Sequence, residues 1–335
     1  MRRSWLAQPA LLACGVLIAW RTGAVAGDAP SRLALPEAPS ATLAKANSPD
    51  DPSMDVASAK IVPVRATLDR IEVLEPGTSD GMTLQSARRA LPLSRLTPVN
   101  RRRAESVLSN LSMFRAMPGV RVEVDHDAYR YFVEHPDVAV SIWRALDVSK
   151  CQLWQTGPDS YETDVGDGST GVIDVLYRSE HDHVVIGEGR FKSPLIPKPI
   201  RATGLLHLHT DYVTRSDGQT EAVCRGNLFV TFPSQTVETA AKVVSPVTNM
   251  VIDRNFEEIS LFAHMMTLAM RTQPGWVESI AGQLDGILER RRTELLQVAA
   301  RAYVSHKKRE LALEGAISSP EAIAPPVRRV TPASR

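Results

Sequence analysis

Cysteine is scarce. The 335 residues hold three, Cys14, Cys151 and Cys224, with no CxxC pair and no Cys/His cluster, so a structural zinc site is not expected. Charge of one sign is lacking as well: 39 Lys and Arg stand against 38 Asp and Glu, a formal net charge of +1. That balance argues against a dedicated nucleic-acid or anionic-surface binder. No G-x-S-x-G elbow and no H-E-x-x-H motif occurs, which removes the usual signatures of a serine hydrolase or a zincin. No internal repeat is visible. Beyond the first two dozen residues, no apolar run reaches the ~20 residues of a spanning helix.

What the chain does have begins at its N-terminus. Arg2 and Arg3 precede an apolar run from Trp5 to Trp20, and Ala24-Val25-Ala26 offers the small-x-small pattern of a signal-peptidase site. The expectation is an export signal over residues 1–26 and a periplasmic or extracellular protein. Two alternatives stand beside it. An uncleaved anchor is disfavoured by the short run and by Gln8 and Pro9 within it. Leu11-Leu12-Ala13-Cys14 resembles a lipobox, although Gly15-Val16-Leu17-Ile18 stays apolar where a polar residue is usual. Arg2-Arg3-Ser4-Trp5-Leu6 is also similar to a twin-arginine motif. Cleavage after Ala26 removes three arginines and no acid, taking the formal charge from +1 to −2. It leaves Cys151 and Cys224, which in an oxidising compartment could form one disulfide or stay as two buried thiols.

Residues 27–60 are rich in Ala, Pro, Ser and Asp and read as a disordered linker. Residues 315–335 carry four prolines and read as a disordered tail. Between them lie an expected globular domain, 61–288, and a charged helical extension, 289–314, that projects from it. A short strand is expected at 61–64. Thr97-Pro98 opens a helix, since proline suits a first turn. A helical pair spans Asp125 to Leu146 and divides at His135-Pro136. Six strands then follow between Cys151 and Phe232, with Asp167-Gly168 and Asp217-Gly218 as hairpin turns. Their short connections require antiparallel pairing. After a break at Pro246, a helix from Val247 to Gln273 carries Ile252, Phe256, Ile259, Ala263, Met266 and Met270 on one face. Asp253, Glu257, Ser260, His264, Thr267 and Arg271 lie on the other, which is expected to be wet. A last helix runs from Trp276 towards Glu314. The fold class is therefore α+β: a six-stranded antiparallel sheet wrapped on a long amphipathic helix, with N-terminal helices and an extra C-terminal one.

This order resembles the helix-grip superfamily, which includes START lipid-transfer domains and polyketide-cyclase-like proteins. The resemblance covers roughly residues 125–275 and rests on element order and a few apolar positions. The stretch His135 to Leu146 looks like the short helix before the sheet, and the helix from Val247 looks like the closing helix. Pro246 and the extra C-terminal helix depart from the pattern. The resemblance implies a cavity between sheet and helix for an apolar ligand, and the leading expectation is a hydrophobic or amphipathic small molecule held there without a cofactor and without being transformed. Its expected contacts are Phe256, Ile259, Met266 and Met270, with Glu188 and Arg190 facing the polar head. Methionines suit such a surface because the thioether is flexible and polarizable.

Other constellations point elsewhere. His207, His209 and Asp211 are spaced by two, so on a strand they share one side and could bind a metal or do acid–base work. Leu206, Leu208 and Tyr212 on the other side look like core, which makes the His/His/Asp side a solvated face by default. His181 and His183 flank an Asp at what reads as a polar hairpin end. Gly166-Asp167-Gly168-Ser169-Thr170-Gly171 spells G-x-G-x-x-G, but a strand follows it where a dinucleotide site needs a helix. The charged segments around Arg290-Arg291-Arg292 and Tyr303–Arg309 offer a second functional class, docking to an envelope or membrane-associated partner. An enzyme using Glu188 or the His207/His209/Asp211 face is the third.

Overall fold

A computed structural model describes residues 71–191, 200–233 and 235–317. The export segment, the linker, the strand expected at 61–64 and the C-terminal tail lie outside the described residues. Three strands come first: β1 (Ile71–Glu75), β2 (Met113–Ala116) and β3 (Gly119–Val124). Six more follow: β4 (Gln152–Gln155), β5 (Ser160–Asp164), β6 (Thr170–Arg178), β7 (Asp182–Phe191), β8 (Ile200–Thr214) and β9 (Thr220–Thr231). The helices are α1 (Gly81–Ala90), α2 (Pro98–Ser109), α3 (His126–Glu134), α4 (Pro136–Ala145), α5 (Gln235–Thr272), α6 (Pro274–Gln283) and α7 (Glu289–Ile317).

Local chemistry sets the boundaries. The Thr97 hydroxyl caps α2 by accepting from Asn100 N, with Pro98 in the first turn. Asp125 caps α3 in the same way, and His135-Pro136 divides α3 from α4. Gly168 and Gly218 adopt φ of 92° and 77°, which L side chains rarely reach. The preceding aspartates complete these turns: Asp167 Oδ1 accepts from Ser169 N at 2.8 Å, and Asp217 Oδ1 from Gln219 N at 2.9 Å. Each Asp-Gly pair thus closes a hairpin, β5–β6 and β8–β9.

The sheet has nine strands rather than six, all pairings are antiparallel, and it does not close on itself. Its order is β1-β3-β9-β8-β7-β6-β5-β4, and β2 also pairs with β9. The six expected strands form the unbroken meander β4 to β9. The three additional ones are short and rich in charge (Glu72, Arg115, Arg121, Glu123), so their apolar alternation is weak in isolation. They form because β9 is long: β3 pairs with Thr220–Cys224, and β2 takes Asn227–Val230.

Both faces of the sheet are covered. Side chains alternate along each strand, and neighbours in sequence join different cores. On one face Leu176, Val184, Ile186, Leu205 and Phe229 pack with Leu91, Ala104 and Val107 from the α1–α2 region. On the other, Ile173, Val185, Leu206 and Leu208 pack towards α3, α4 and α5. Burying Trp143 against Phe262 and Phe132 against Phe262, at ring separations of 5.5 and 5.4 Å, fixes α4 and α3 on α5.

Four helical expectations need correction. α5 runs through Pro246 as one helix, because one missing N–H is a local loss within 38 residues of helix. Its supposedly wet face is largely buried: Ser260, His264, Thr267 and Arg271 are each 5% exposed or less. The stripe docks on β2 and β3. His264 Nδ1 donates to the Glu123 carbonyl at 2.9 Å, Thr267 Oγ1 accepts from Asp125 N at 3.0 Å, and Arg115 Nε donates to Asp253 at 2.9 Å. The terminal helix is two helices, α6 and α7, with Gly286 at φ 66° between them. α7 does not stand off the fold along its first half, since Leu295, Val298, Ala299 and Ala302 are buried in the core with α3, α5 and α6. Among the described residues no helix is long and apolar enough to cross a membrane.

Candidate functional site

A cavity of about 150 Å³ lies between α3, α4 and α5 and the inner face of strands β5 to β9. Register puts its floor together. Val185 pairs across to Leu206, and His183 to Leu208, so the inward side chains of β7 and β8 form one patch. Ile173 and Val175 extend it along β6, and Tyr161 along β5. From the helices come Phe132, Ala139, Trp143, Phe256, Ile259 and Ala263. The wall is almost wholly apolar. Phe256 and Ile259, two of the expected contacts, line it. Met266 and Met270 are 2% and 0% exposed but sit in the helical core and are not lining residues. Glu188 and Arg190 are exposed, and Glu188 shares the outward side of β7 with Val184 and Ile186. It lies 3.6 Å from Arg103 of α2, away from the cavity.

Polar groups enter the cavity from His183, Arg178 and Tyr161. His183 is 7% exposed, and its Nε2 has no hydrogen-bond partner among the described residues. Burial, reinforced by the charge of Arg178 and opposed by Asp182, lowers its pKa to about 4, so the ring is neutral at physiological pH. Arg178 also lines the cavity and pairs with Asp159 at 2.7 Å. Tyr161 is pushed up to about 12, chiefly by burial and then by Asp137. The signal for His183 was present in the sequence: it alternates with Val184 and is in phase with Val185. Reading it as a hairpin-end residue hid that phase.

Beside this end of the cavity lies a buried polar cluster on α3, α4 and α7. Arg291 Nη1 donates to His135 Nε2 at 2.7 Å and to Glu294 at 3.0 Å, and Tyr131 donates to the Arg291 carbonyl at 2.7 Å. Asp137 is 0% exposed with neither carboxylate oxygen hydrogen-bonded among the described residues. Burial raises its pKa, against the pull of Arg291.

The two cysteines are not bonded to each other. Cys151 immediately precedes β4 and lies 3.5 Å from the Thr163 hydroxyl, whereas Cys224 sits on β9, 3.0 Å from the Tyr129 hydroxyl and on the cavity wall. The disulfide alternative is therefore corrected to two buried thiols at separate places. Burial raises both pKa values, Cys224 to about 11.

His207, His209 and Asp211 do share the outward side of β8, as spacing requires. The carboxylate between the histidines, however, is Asp182 of β7. Its Oδ1 lies 2.8 Å from His207 Nε2 and 2.8 Å from His209 Nδ1. Asp211 stands on the far side of His209, 3.3 Å from Nε2. His207 is 2% exposed and so is not on a solvated face. Burial lowers its pKa, against the pull of Asp182. For Asp182 burial acts upwards, but hydrogen bonds from His209 and His207 outweigh it and hold the carboxyl below its usual value. The G-x-G-x-x-G string forms the β5–β6 hairpin, with no helix after it to receive a pyrophosphate.

No family model matches the chain, and no curated protein matches it. Among solved structures, a conserved protein from Geobacillus kaustophilus aligns at 15% identity over 41% of this chain and 93% of its own, with a TM-score of 0.23. DynU16, a protein of the dynemicin biosynthetic locus, aligns at 15% identity over 42% of this chain and 46% of its own, with a TM-score of 0.21. At such scores neither likeness carries an argument about this chain.

Proposed function

We propose that this chain is an exported protein that holds a small, mostly apolar molecule between its sheet and α5 without transforming it, in a helix-grip-like arrangement. Export rests on residues 1–26 alone. The observation that carries the binding reading is the apolar cavity with a buried nitrogen on its wall, His183 Nε2, that has no partner among the described residues. A buried polar atom without a partner costs about 1–3 kcal/mol, and a ligand hydroxyl or carbonyl would supply the missing bond.

Size narrows the ligand. An apolar cavity of about 150 Å³ holds a benzene-sized molecule, while drug-sized ligands occupy roughly 300–1,000 Å³. The class is therefore small aromatic or branched aliphatic molecules with one polar group, not long-chain lipids. With so few heavy atoms the affinity is modest, about −4 to −5.5 kcal/mol, or a Kd of about 0.1–1 mM. Ligand-observed NMR with phenol, indole, toluene and palmitate tests this. Phenol and indole are expected to bind above toluene, and palmitate not at all. Absence of binding by all three small aromatics would sink the reading.

A further inference from the structure

Four of the eight histidines gather where β6 turns into β7 beside β8: His181, His183, His207 and His209. His183 faces the cavity. His207 and His209 face the opposite side of the sheet, away from the cavity. Two features of the backbone fix that second pair. Asp182 is held by the turn, donating its N–H to Ser179 Oγ at 2.9 Å and accepting from Ser179 N at 2.8 Å. Ladder register then sets Asp182 directly opposite His209 and sets Val184 opposite His207. One carboxylate and two imidazoles are thus delivered to one spot by the backbone alone.

We infer that Asp182, His207 and His209 form a binding site for a divalent transition-metal ion of the zinc class. The donor atoms are Asp182 Oδ1, His207 Nε2 and His209 Nδ1, all within 4.8 Å of one another. Two imidazoles and a carboxylate suit zinc, cobalt, nickel or copper better than magnesium or calcium, which prefer oxygen. Bonds of about 2.0–2.2 Å to one tetrahedral ion hold donors roughly 3.3 Å apart. The present 2.8 Å contacts therefore need to open by only about half an ångström. Exposure is graded as an ion requires: His207 is 2% exposed, while the Asp182 and His209 side chains are 27% and 35% exposed, leaving an open side for water ligands.

The outer partner of His209 is the second observation. A metal-bound imidazole commonly gives its other N–H to a carboxylate, which fixes the tautomer and orients the ring. Asp211 Oδ1 lies 3.3 Å from His209 Nε2, on the side away from Asp182. Asp211 is itself steadied by Arg225 at 3.4 Å. A proton held at Nε2 by Asp211 leaves Nδ1 directed at the site. Asp211 is thus a positioning residue, and the spacing-two pattern on β8 supplies two ligands and their brace.

The test uses the untagged full chain, stripped with chelator and reloaded with zinc or cobalt(II) alone. After desalting, the expected result is one retained zinc per chain, and a visible d–d absorption when cobalt is used. Asp182→Asn and His209→Gln are expected to abolish retention, and Asp211→Asn to weaken affinity 10- to 100-fold. His306→Gln, on α7, is expected to change nothing. Zinc should also shift the His207 and His209 imidazole resonances of the unaltered protein, a readout that needs no variant to fold. No retained ion in the parent protein, equal retention in Asp182→Asn and His209→Gln, or zinc-induced shifts confined to other histidines would each overturn the site.

Discussion

Arg271, on the face of α5 that its sequence pattern assigns to water, donates to the Glu123 carboxylate of β3 at 2.5 Å and to the Val124 carbonyl at 3.1 Å. Arg271 is 4% exposed and the Glu123 side chain 31%. The pair fastens the sheet's β3 region to the helix that roofs the cavity. Removing one partner of a buried pair typically costs about 3–5 kcal/mol. Because the carboxylate is partly solvated, Glu123→Ala is expected to cost less than that range, about 2–3 kcal/mol, in urea unfolding. Glu123→Ala with Arg271→Met should recover part of that loss, because the uncompensated buried charge is then gone. A double variant as unstable as the two single losses added would refute this account.

That same pair shows what the sequence could and could not deliver. Period-two alternation and Asp-Gly turns place the six strands of the meander between Cys151 and Phe232, since those signals are local. The polarity of α5 is local information too, but its environment is not. Whether His264, Thr267 and Arg271 meet water or the β3 region depends on a strand that precedes α5 by more than a hundred residues. The cavity follows the same rule. Phe256 and Ile259 were legible as the apolar face of a helix. For His183 the sequence carries only the alternation with Val184, and it is pairing with Leu208 that sets that phase against the cavity. Asp182 was missed as the partner of His207 and His209 for the same reason: its role exists only across a ladder.

Acidification should weaken the fold through His135. Its Nε2 accepts from Arg291, which requires a neutral ring, and protonation would set two cations in contact. Burial and then Arg291 lower its pKa to about 4, from an unfolded value near 6.5. A depressed histidine contributes stability that is present above pH 6.5 and lost as pH falls towards 4. Discounted for partial solvation, the loss is on the order of 1–2 kcal/mol. Asp137, whose pKa is raised, acts in the opposite sense, so the comparison must be between proteins. Urea melts at pH 7 and pH 4.5 should show a larger drop for the parent than for His135→Asn. Equal drops would rule His135 out as the cause.

Reductant should leave the melting temperature unchanged, because Cys151 and Cys224 are separate buried thiols. With burial raising both thiol pKa values, neither should react with DTNB in the folded state at pH 8, and both should react in denaturant. A melting temperature that falls on adding reductant would mean that the chain carries a bridge that this arrangement of β4 and β9 does not allow.

Gly226 gives a way to shrink the cavity without cutting into the core. A methyl group there would meet the tip of Met117 and would stand 3.3 Å from Phe256, and both residues line the cavity. The Met117 thioether is flexible enough to swing away, and the space open to it is the cavity itself. Gly226→Ala is therefore expected to cost about 1–2 kcal/mol of stability, within the usual range for added methyl groups. Binding of phenol or indole should weaken about tenfold. Ile259→Ala works in the other direction. It enlarges the cavity at a cost of about 2–4 kcal/mol and should admit a bulkier ring such as naphthol. Isothermal titration of both variants against the same small set of aromatics decides the matter. If phenol binds Gly226→Ala as tightly as the parent, the ligand does not sit under α5, and the binding reading must move to another surface.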